Sequence, residues 1–487
     1  MRRPGRGWLV LLLGVGGLVL LASSALAIPA FARRYGMGCD ACHVAWPVLN
    51  EFGEDFRMSG YRRYGGANLQ PTTPDVELVK DVLSIPAVPP VAFRVDTGFD
   101  FQRIRRQAAD GTTATRKGSS FDLNELELLA GTPLGKHVSF FLQYDLFETE
   151  IERPTGPGEA NDTGSRRNIT FETKGPRAPG MAKFIWNSLL PQHIAPVDSL
   201  NLVVGVNELP VAFSPEHRRL SASPYLVYER RGLDLLSGKP VDDLLPDDPR
   251  RRLFRLSEEQ IGVEFNGVLR SGAPVTGLRV EYHFGVTNGS NKDSDPNTEK
   301  DLFGRVALRW QGQTLGFFGY WSPDIYSDDL RTAGALANGG VLGVARHNTT
   351  FHVGPDLTLS LRPFGPQVWL DTQVLFNRES NPTGFDKGFR WWGGFSQLHW
   401  KPLASLIAYG RYDWLRGRRF DDTALGGVTG PVKPREWAAV VGVQWYTLLN
   451  LRLIAEYSHH VFRNPASSPS RQEVEGDFVT LRLAGAL

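Results

Sequence analysis

Across 487 residues the chain has two cysteines, four methionines and, past residue 27, no long hydrophobic run. Two cysteines are too few for a disulfide-stapled exported scaffold. No later segment approaches 18 consecutive apolar residues, and mean hydropathy is −0.24, which excludes a bundle of membrane-spanning helices. An excess of one charge is missing too: 54 Lys and Arg stand against 52 Asp and Glu. That balance gives no reason to expect nucleic acid or an acidic membrane surface as a partner.

What is present begins with "MRRPGRGWLVLLLGVGGLVLLASSALA". Arg2, Arg3 and Arg6 precede an apolar run from Trp8 to about Ser23, and Ala25-x-Ala27 closes it. This is the order of a secretory signal peptide over 1–27, cleaved before Ile28. An uncleaved anchor is the competing reading, but no basic stop-transfer cluster follows. Cleavage removes three basic residues and no acidic one, leaving a net charge of about −1. A weakly hydrophilic exported chain of this length can be one soluble domain. It can also be a β-barrel, whose lipid face is hidden from hydropathy averages because alternate residues face the lumen.

From residue 91 onward, alternation favours the barrel. "GLRVEYHFGVT" sets Leu278, Val280, Tyr282, Phe284 and Val286 against Arg279, Glu281 and His283. "DLFGRVALRW" and "LRLIAEYSHH" repeat the pattern, and a period of two places each set on one face of a strand. The segments run about 10 to 14 residues, suited to tilted membrane spans rather than to a globular sheet. Aromatic pairs such as Tyr412 and Trp414, or Trp445 and Tyr446, fall near strand ends, where an interfacial belt wants them. Short links such as "RPFGP" alternate with long polar ones such as "TEIERPTGPGEANDTGSRR" and "TNGSNKDSDPNTE".

Read backward from the C-terminus, strands are expected at 476–487, 449–463, 435–447, 403–415, 388–401, 367–379, 350–361, 313–323, 301–312, 276–288, 257–270, 199–208, 180–189, 137–149, 119–130 and 91–104. The fold class is therefore all-β, a transmembrane outer-membrane barrel of about sixteen strands over 89–487, both ends periplasmic. Residues 168–200 carry the weakest strand signal, and 209–256 reads as one long external or inward-folded loop. The polar face is charged in both signs, for example Glu264, Arg279, Arg305, Asp371, Arg411 and Glu456, as the lining of a wet or filled lumen.

One stretch carries chemistry: "MGCDACHVAWPVLNEFGEDFRMSGY", 37–61, holds both cysteines. In C-x-x-C-H, Cys39 and Cys42 can each form a thioether to a haem vinyl group, with His43 as proximal iron ligand. A thioredoxin-like dithiol shares the spacing, but no βαβ unit surrounds this one. A zinc site would want a further soft ligand. Haem iron also takes Met or His on its distal side, and Met58, fifteen residues past His43, is the candidate. Packing of Met58 against the porphyrin is the alternative, and a lumenal histidine a further one. A single haem can serve both compartments only from inside the barrel, since the hydrocarbon layer is about 30 Å thick. Residues 28–88 are thus expected to be a small c-type cytochrome domain plugging the lumen, with the proline-bearing "QPTTPDVELVKDVLSIPAVPP" as tether into the first strand.

The pre-motif "IPAFARRYGMGCDACH", the pattern P-x-L-N-x-F-G-x-x-F-R-x-x-G-Y from Pro47 to Tyr61 and the barrel after it resemble the fused monohaem cytochrome–porins of the bacterial outer membrane. The resemblance implies one covalent c-type haem on Cys39, Cys42 and His43. It also implies a haem fold shaped by Phe52, Gly53, Phe56, Gly60 and Tyr61. It implies single electrons moving from an extracellular donor, Fe2+ or another small reductant, to a periplasmic electron-carrier cytochrome, an Fe(II) oxidase activity if enzymatic. Electron export to an external acceptor would use the same parts. A porin or transport barrel with a haem-bearing structural plug is the alternative from another class. A soluble periplasmic cytochrome joined to an unrelated β-domain is a third.

Overall fold

A computed structural model describes residues 30–80, 82–107, 111–152, 170–174, 180–237, 254–272, 277–289, 298–323, 347–382, 387–420, 432–464 and 472–486. The expected signal peptide, most of the two quoted long loops and Leu487 lie outside these residues. Barrel strands run Val91–Gln107 (β1), Thr113–Pro133 (β2), Val138–Glu152 (β3), Met181–Trp186 (β4, with Thr170–Lys174 above it), Asn201–Asn207 (β5), Gln260–Ser271 (β6), Leu278–Thr287 (β7) and Asp301–Trp310 (β8). They continue with Gln313–Ser322 (β9), Thr350–Ser360 (β10), Val368–Glu379 (β11), Phe389–Leu403 (β12), Leu406–Gly417 (β13), Arg435–Leu448 (β14), Leu451–Asn464 (β15) and Gln472–Ala486 (β16). Each pairs antiparallel with its neighbours, and β16 pairs with β1 to close the barrel. Thr170–Lys174 and Met181–Trp186 both pair with β3, at successive heights, so they share one position and the barrel has sixteen.

All sixteen expected strands are present in order; the differences are in extent. β2 begins six residues before its expected start, at Thr113, because it pairs with the full length of β1 from Gln107 down. Within 168–200, Thr170–Lys174 and Met181–Trp186 share the β4 position, and 187–200 link it to β5.

The alternation does what the sequence pattern requires. Leu302, Val306 and Leu308 of β8 are exposed, while Arg305 and Arg309 of the same strand are buried inward. Trp310, Trp400 and Trp445, each more than half exposed, ring the outer face near the short-turn end. Toward the other end Tyr412 stacks with Trp414 and Trp437 at 6.2 and 6.1 Å. An apolar outer band between aromatic girdles is the lipid-facing surface of an outer-membrane barrel. Tyr446 corrects the expected belt: it turns inward, and its hydroxyl donates to the Trp46 carbonyl at 2.7 Å.

Two segments occupy the lumen. Residues 30–68 pack against the inner wall at the short-turn end through three helices, Ala30–Tyr35 (α1), Cys39–Cys42 (α2) and Glu51–Met58 (α3). The stretch expected as a tether contains a hairpin, Asp75–Val79 with Leu83–Pro86, anchored by Asp75 to Arg34 at 2.8 Å, before the chain enters β1. Residues 209–237 fold inward and climb toward the long-loop end, with short helices Leu226–Glu229 (α4) and Gly232–Ser237 (α5). Tyr225 stacks on wall residue Phe395 at 3.9 Å, and Arg230 pairs with Glu436.

The link over 187–200 fixes the N-terminal segment: Asp198, fully buried, accepts from Arg63 at 2.6 Å. Removing one partner of a buried pair leaves an uncompensated charge, at a cost of about 3 kcal/mol. Asp198→Ala is therefore expected to make residues 30–68 protease-sensitive while the heat-modifiable gel shift of the folded barrel is unchanged.

Candidate functional site

The C-x-x-C-H sequence forms one helical turn followed by extended chain. Cys39 and Cys42 begin and end α2, so i,i+3 spacing sets their side chains on one face, and neither is in a disulfide. Burial raises both thiols, Cys42 to about 12, with Cys39 and Asp40 adding to the effect on it. Exchange-active dithiols need the opposite shift, so the thioredoxin-like alternative finds no support in this environment.

His43 leaves the helix with φ −118° and ψ 138°. Its Nδ1 lies 3.0 Å from the Pro47 carbonyl oxygen. A carbonyl only accepts, so this bond selects the tautomer with hydrogen on Nδ1 and leaves the Nε2 lone pair free. That is the arrangement of metal-ligating histidines, whose second ring nitrogen is held by a carbonyl or carboxylate. Burial lowers the ring's pKa to about 4, which keeps the imidazole neutral near pH 7. Two unpaired thiols and a histidine with a directed Nε2 fit the donor set of a covalent haem c.

Asn50 holds this turn in place. Its backbone N–H donates to the Cys42 carbonyl at 2.8 Å, and its side-chain amide donates to the Ala41 carbonyl at 2.9 Å. Its side-chain oxygen also caps α3 by accepting from the Gly53 N–H at 2.9 Å. Gly53 permits the approach, because a Cβ there would overlap the Cys42 carbonyl oxygen. Barrel residues clamp the next stretch. Arg452 and Tyr446 both donate to the Trp46 carbonyl, Arg452 lies over the Trp46 ring at 4.2 Å, and Lys401 donates to the Val44 carbonyl.

Of the expected haem-shaping residues, Phe52, Phe56 and Tyr61 join one aromatic cluster. Phe31 of α1 stacks on Tyr61 at 4.4 Å and meets Phe56 edge-on at 5.5 Å, while Phe52 stacks on Phe56 at 6.2 Å. Ile185, Val203 and Phe141 of the wall extend the cluster, so it also docks the segment to the barrel. Met58 is buried in the last turn of α3, and its carbonyl accepts from Asn201. Asn50 was legible as an Asn three residues before Gly53 at a helix start. The clamping roles of Arg452, Tyr446 and Lys401 had no sequence signal beyond their facing.

The outer surface of α3 is acidic and meets arginines. Glu51 pairs with Arg279, Asp55 with Arg270, and Glu54 with Arg218 at 2.7 Å and Arg57 at 3.3 Å. Burial alone would raise Glu54, but Arg218, Arg57, Arg309 and His217 together hold it well below the usual carboxylate range.

No family model matches the chain, and no curated protein does. Three solved structures show distant overall similarity. They are the outer-membrane channel DcaP of Acinetobacter baumannii (10% identity, 82% of this chain and 97% of that one, TM-score 0.43), an anion-selective porin from Comamonas acidovorans (10%, 81% and 99%, TM-score 0.45) and OmpT of Vibrio cholerae (8%, 84% and 99%, TM-score 0.41).

Two predictions follow from this geometry. Asn50→Ala removes the cap, worth about 1 kcal/mol, and Gly53→Ala forces α3 off the α2 turn; covalent haem per folded barrel should fall in both, most in Gly53→Ala, by haem-stained gel. A carboxylate depressed on folding contributes stability that is complete above its unfolded pKa, 4.5 for Glu54, and is lost as pH falls through the folded value. Protease protection of α3 should therefore stay constant from pH 7 to about 5 and weaken only below 4.5, and Glu54→Gln should remove that acid-side dependence.

Proposed function

We propose that this chain is an outer-membrane electron conduit: a barrel whose N-terminal segment holds one covalent haem c in the lumen and passes single electrons between the two sides of the membrane. The observation that carries the reading is His43, tied through Nδ1 to Pro47 so that Nε2 is the unprotonated nitrogen, immediately after two unpaired cysteines on one helical turn. When bound, a haem there would supply one-electron Fe(III)/Fe(II) exchange. Cys39 and Cys42 would anchor it and His43 would ligate its iron. Met58 stands as the distal candidate, and the Phe52–Phe56–Tyr61 cluster as apolar wall. Asn50 and the Trp46 clamps hold the donors in register at the short-turn end, where Cys39, Cys42 and His43 are all partly exposed. Fe2+ is the proposed external donor and a soluble periplasmic cytochrome the proposed acceptor, with export to an external acceptor as the reverse use.

The second reading is a porin-type barrel in which the same segment is a haem-bearing structural plug. The closed barrel and the wall-clamped N-terminal segment support it without any assumption about donor.

Absorption spectroscopy of the holoprotein in liposomes separates the two. Fe2+ is expected to give the reduced-haem spectrum, and His43→Ala to keep attached haem with an altered spectrum and lose that reduction. If a different small reductant works where Fe2+ fails, the donor changes and electron transfer stands. If no small reductant reduces the haem, while bilayer recordings show solute-dependent conductance, the plugged-porin reading replaces it.

A further inference from the structure

Two cavities lie between the second inward segment and one side of the barrel wall. The lower, 310 Å³, starts at Trp46 and Pro47 and rises between Arg94, Glu125 and Arg452. The upper, 290 Å³, continues past Gln102 and Ser458 to Phe462 and Val474, near the long-loop ends of β15 and β16. Both are bounded by Asp100, Ala222 and Arg482, so they stack along the barrel axis and meet at those three residues. A water occupies about 30 Å³ of liquid, so each holds several.

The lower cavity and the junction have polar walls, while the upper cavity also carries apolar groups, among them Phe462, Val474 and Phe478. Gln102 is 8% exposed, and its side-chain oxygen has no hydrogen-bond partner in the protein; the same holds for one Asp100 carboxylate oxygen and for Arg482 Nε. Buried polar atoms of this kind are satisfied by water. Four carboxylates and four arginines line the lower cavity, but they are unevenly paired. Arg94 is shared by three carboxylates, Glu125, Glu127 and Glu216, while Arg452 is turned toward the neutral Trp46 carbonyl and ring at the lower end. At the junction Arg482 faces two carboxylates, Asp96 at 3.8 Å and Asp100 at 3.7 Å, which also accept from Asn124 at 3.1 Å and from Thr480 at 2.7 Å. Two carboxylates against one loosely held guanidinium favour a passing cation.

We propose that these cavities are one hydrated passage by which small hydrated cations move from the long-loop side to the Trp46–Pro47 loop, with the Asp96–Asp100–Arg482 group as its cation-selective junction. Pro47 is the residue whose carbonyl holds His43, so the passage ends beside the proposed haem site. The assignment of a divalent cation as reductant rests on the proposed electron-transfer reading; the passage itself does not.

The test places a thiol at the bottom of the passage. Asn124→Cys, in the lower cavity, is treated in intact outer membranes with a small cationic methanethiosulfonate added outside, with the unsubstituted holoprotein as baseline. Thr480→Trp, or Ala222→Phe should the first not fold, narrows the junction. Labelling of Asn124→Cys is expected from outside, slowed at least tenfold by either narrowing variant and slower for an anionic reagent of equal size. In the narrowed variants Fe2+ should also reduce the haem at least tenfold more slowly, with an unchanged absorption spectrum. Labelling only after detergent unfolding, or labelling indifferent to both narrowing variants, would overturn the passage. Normal labelling with no haem reduction in the unsubstituted protein would overturn the electron-transfer reading and leave the passage standing.

Discussion

The structure depends on the meeting of an acidic helix with arginines inside the barrel. Glu51, Glu54 and Asp55 lie in the first five residues of α3, and each finds a partner: Arg279, Arg218 and Arg270. Arg279 and Arg270 belong to the wall, and Arg218 to the second inward segment, so one helix ties three parts of the chain together. Charges removed from bulk water are costly unless paired, and breaking one such pair costs more than forming it contributes. The arrangement therefore specifies one seat for α3. Because Asn50 and Gly53 join α3 to the Cys39–Cys42 turn, it also specifies the seat of the only chemistry-bearing motif.

Filling the lumen changes what such a barrel can do. A sixteen-stranded barrel with nothing inside leaves an aqueous channel. Here residues 30–68 close the short-turn end, and 209–237 fill the space above them along one side. The described interior has a packed side, built on Tyr225, Tyr228 and Phe395, and a looser side beside β1 and β16 that is polar at the short-turn end. The first holds the second inward segment against the wall, and the second leaves room for water. That division joins the electron-conduit and porin readings in one architecture, since a plugged barrel with a narrow wet seam can serve either.

Alternation made the barrel legible. It located all sixteen strands and set the faces of Arg305, Arg309, Glu264 and Glu281, because period two encodes which side a residue takes. It does not encode what stands opposite. Tyr446 read as belt because aromatics near strand ends usually are, yet its hydroxyl is used by the Trp46 carbonyl. The prolines of 70–90 suggested a tether but gave no sign of the hairpin within it, which Asp75 ties to Arg34. Within the site, Cys39, Cys42 and His43 were legible from spacing alone, as a local motif. Arg452, Lys401 and Arg218 were not, because their partners lie more than 100 residues away in the chain.

In the proposed function, one haem seated by these contacts links the two compartments. The most direct measurement of that link uses liposomes that carry the holoprotein and enclose an oxidised soluble c-type cytochrome, with Fe2+ supplied only outside. The enclosed cytochrome is expected to become reduced, at a rate proportional to haem-loaded protein and abolished by His43→Ala. Full haem occupancy with an enclosed cytochrome that stays oxidised would contradict the proposed function.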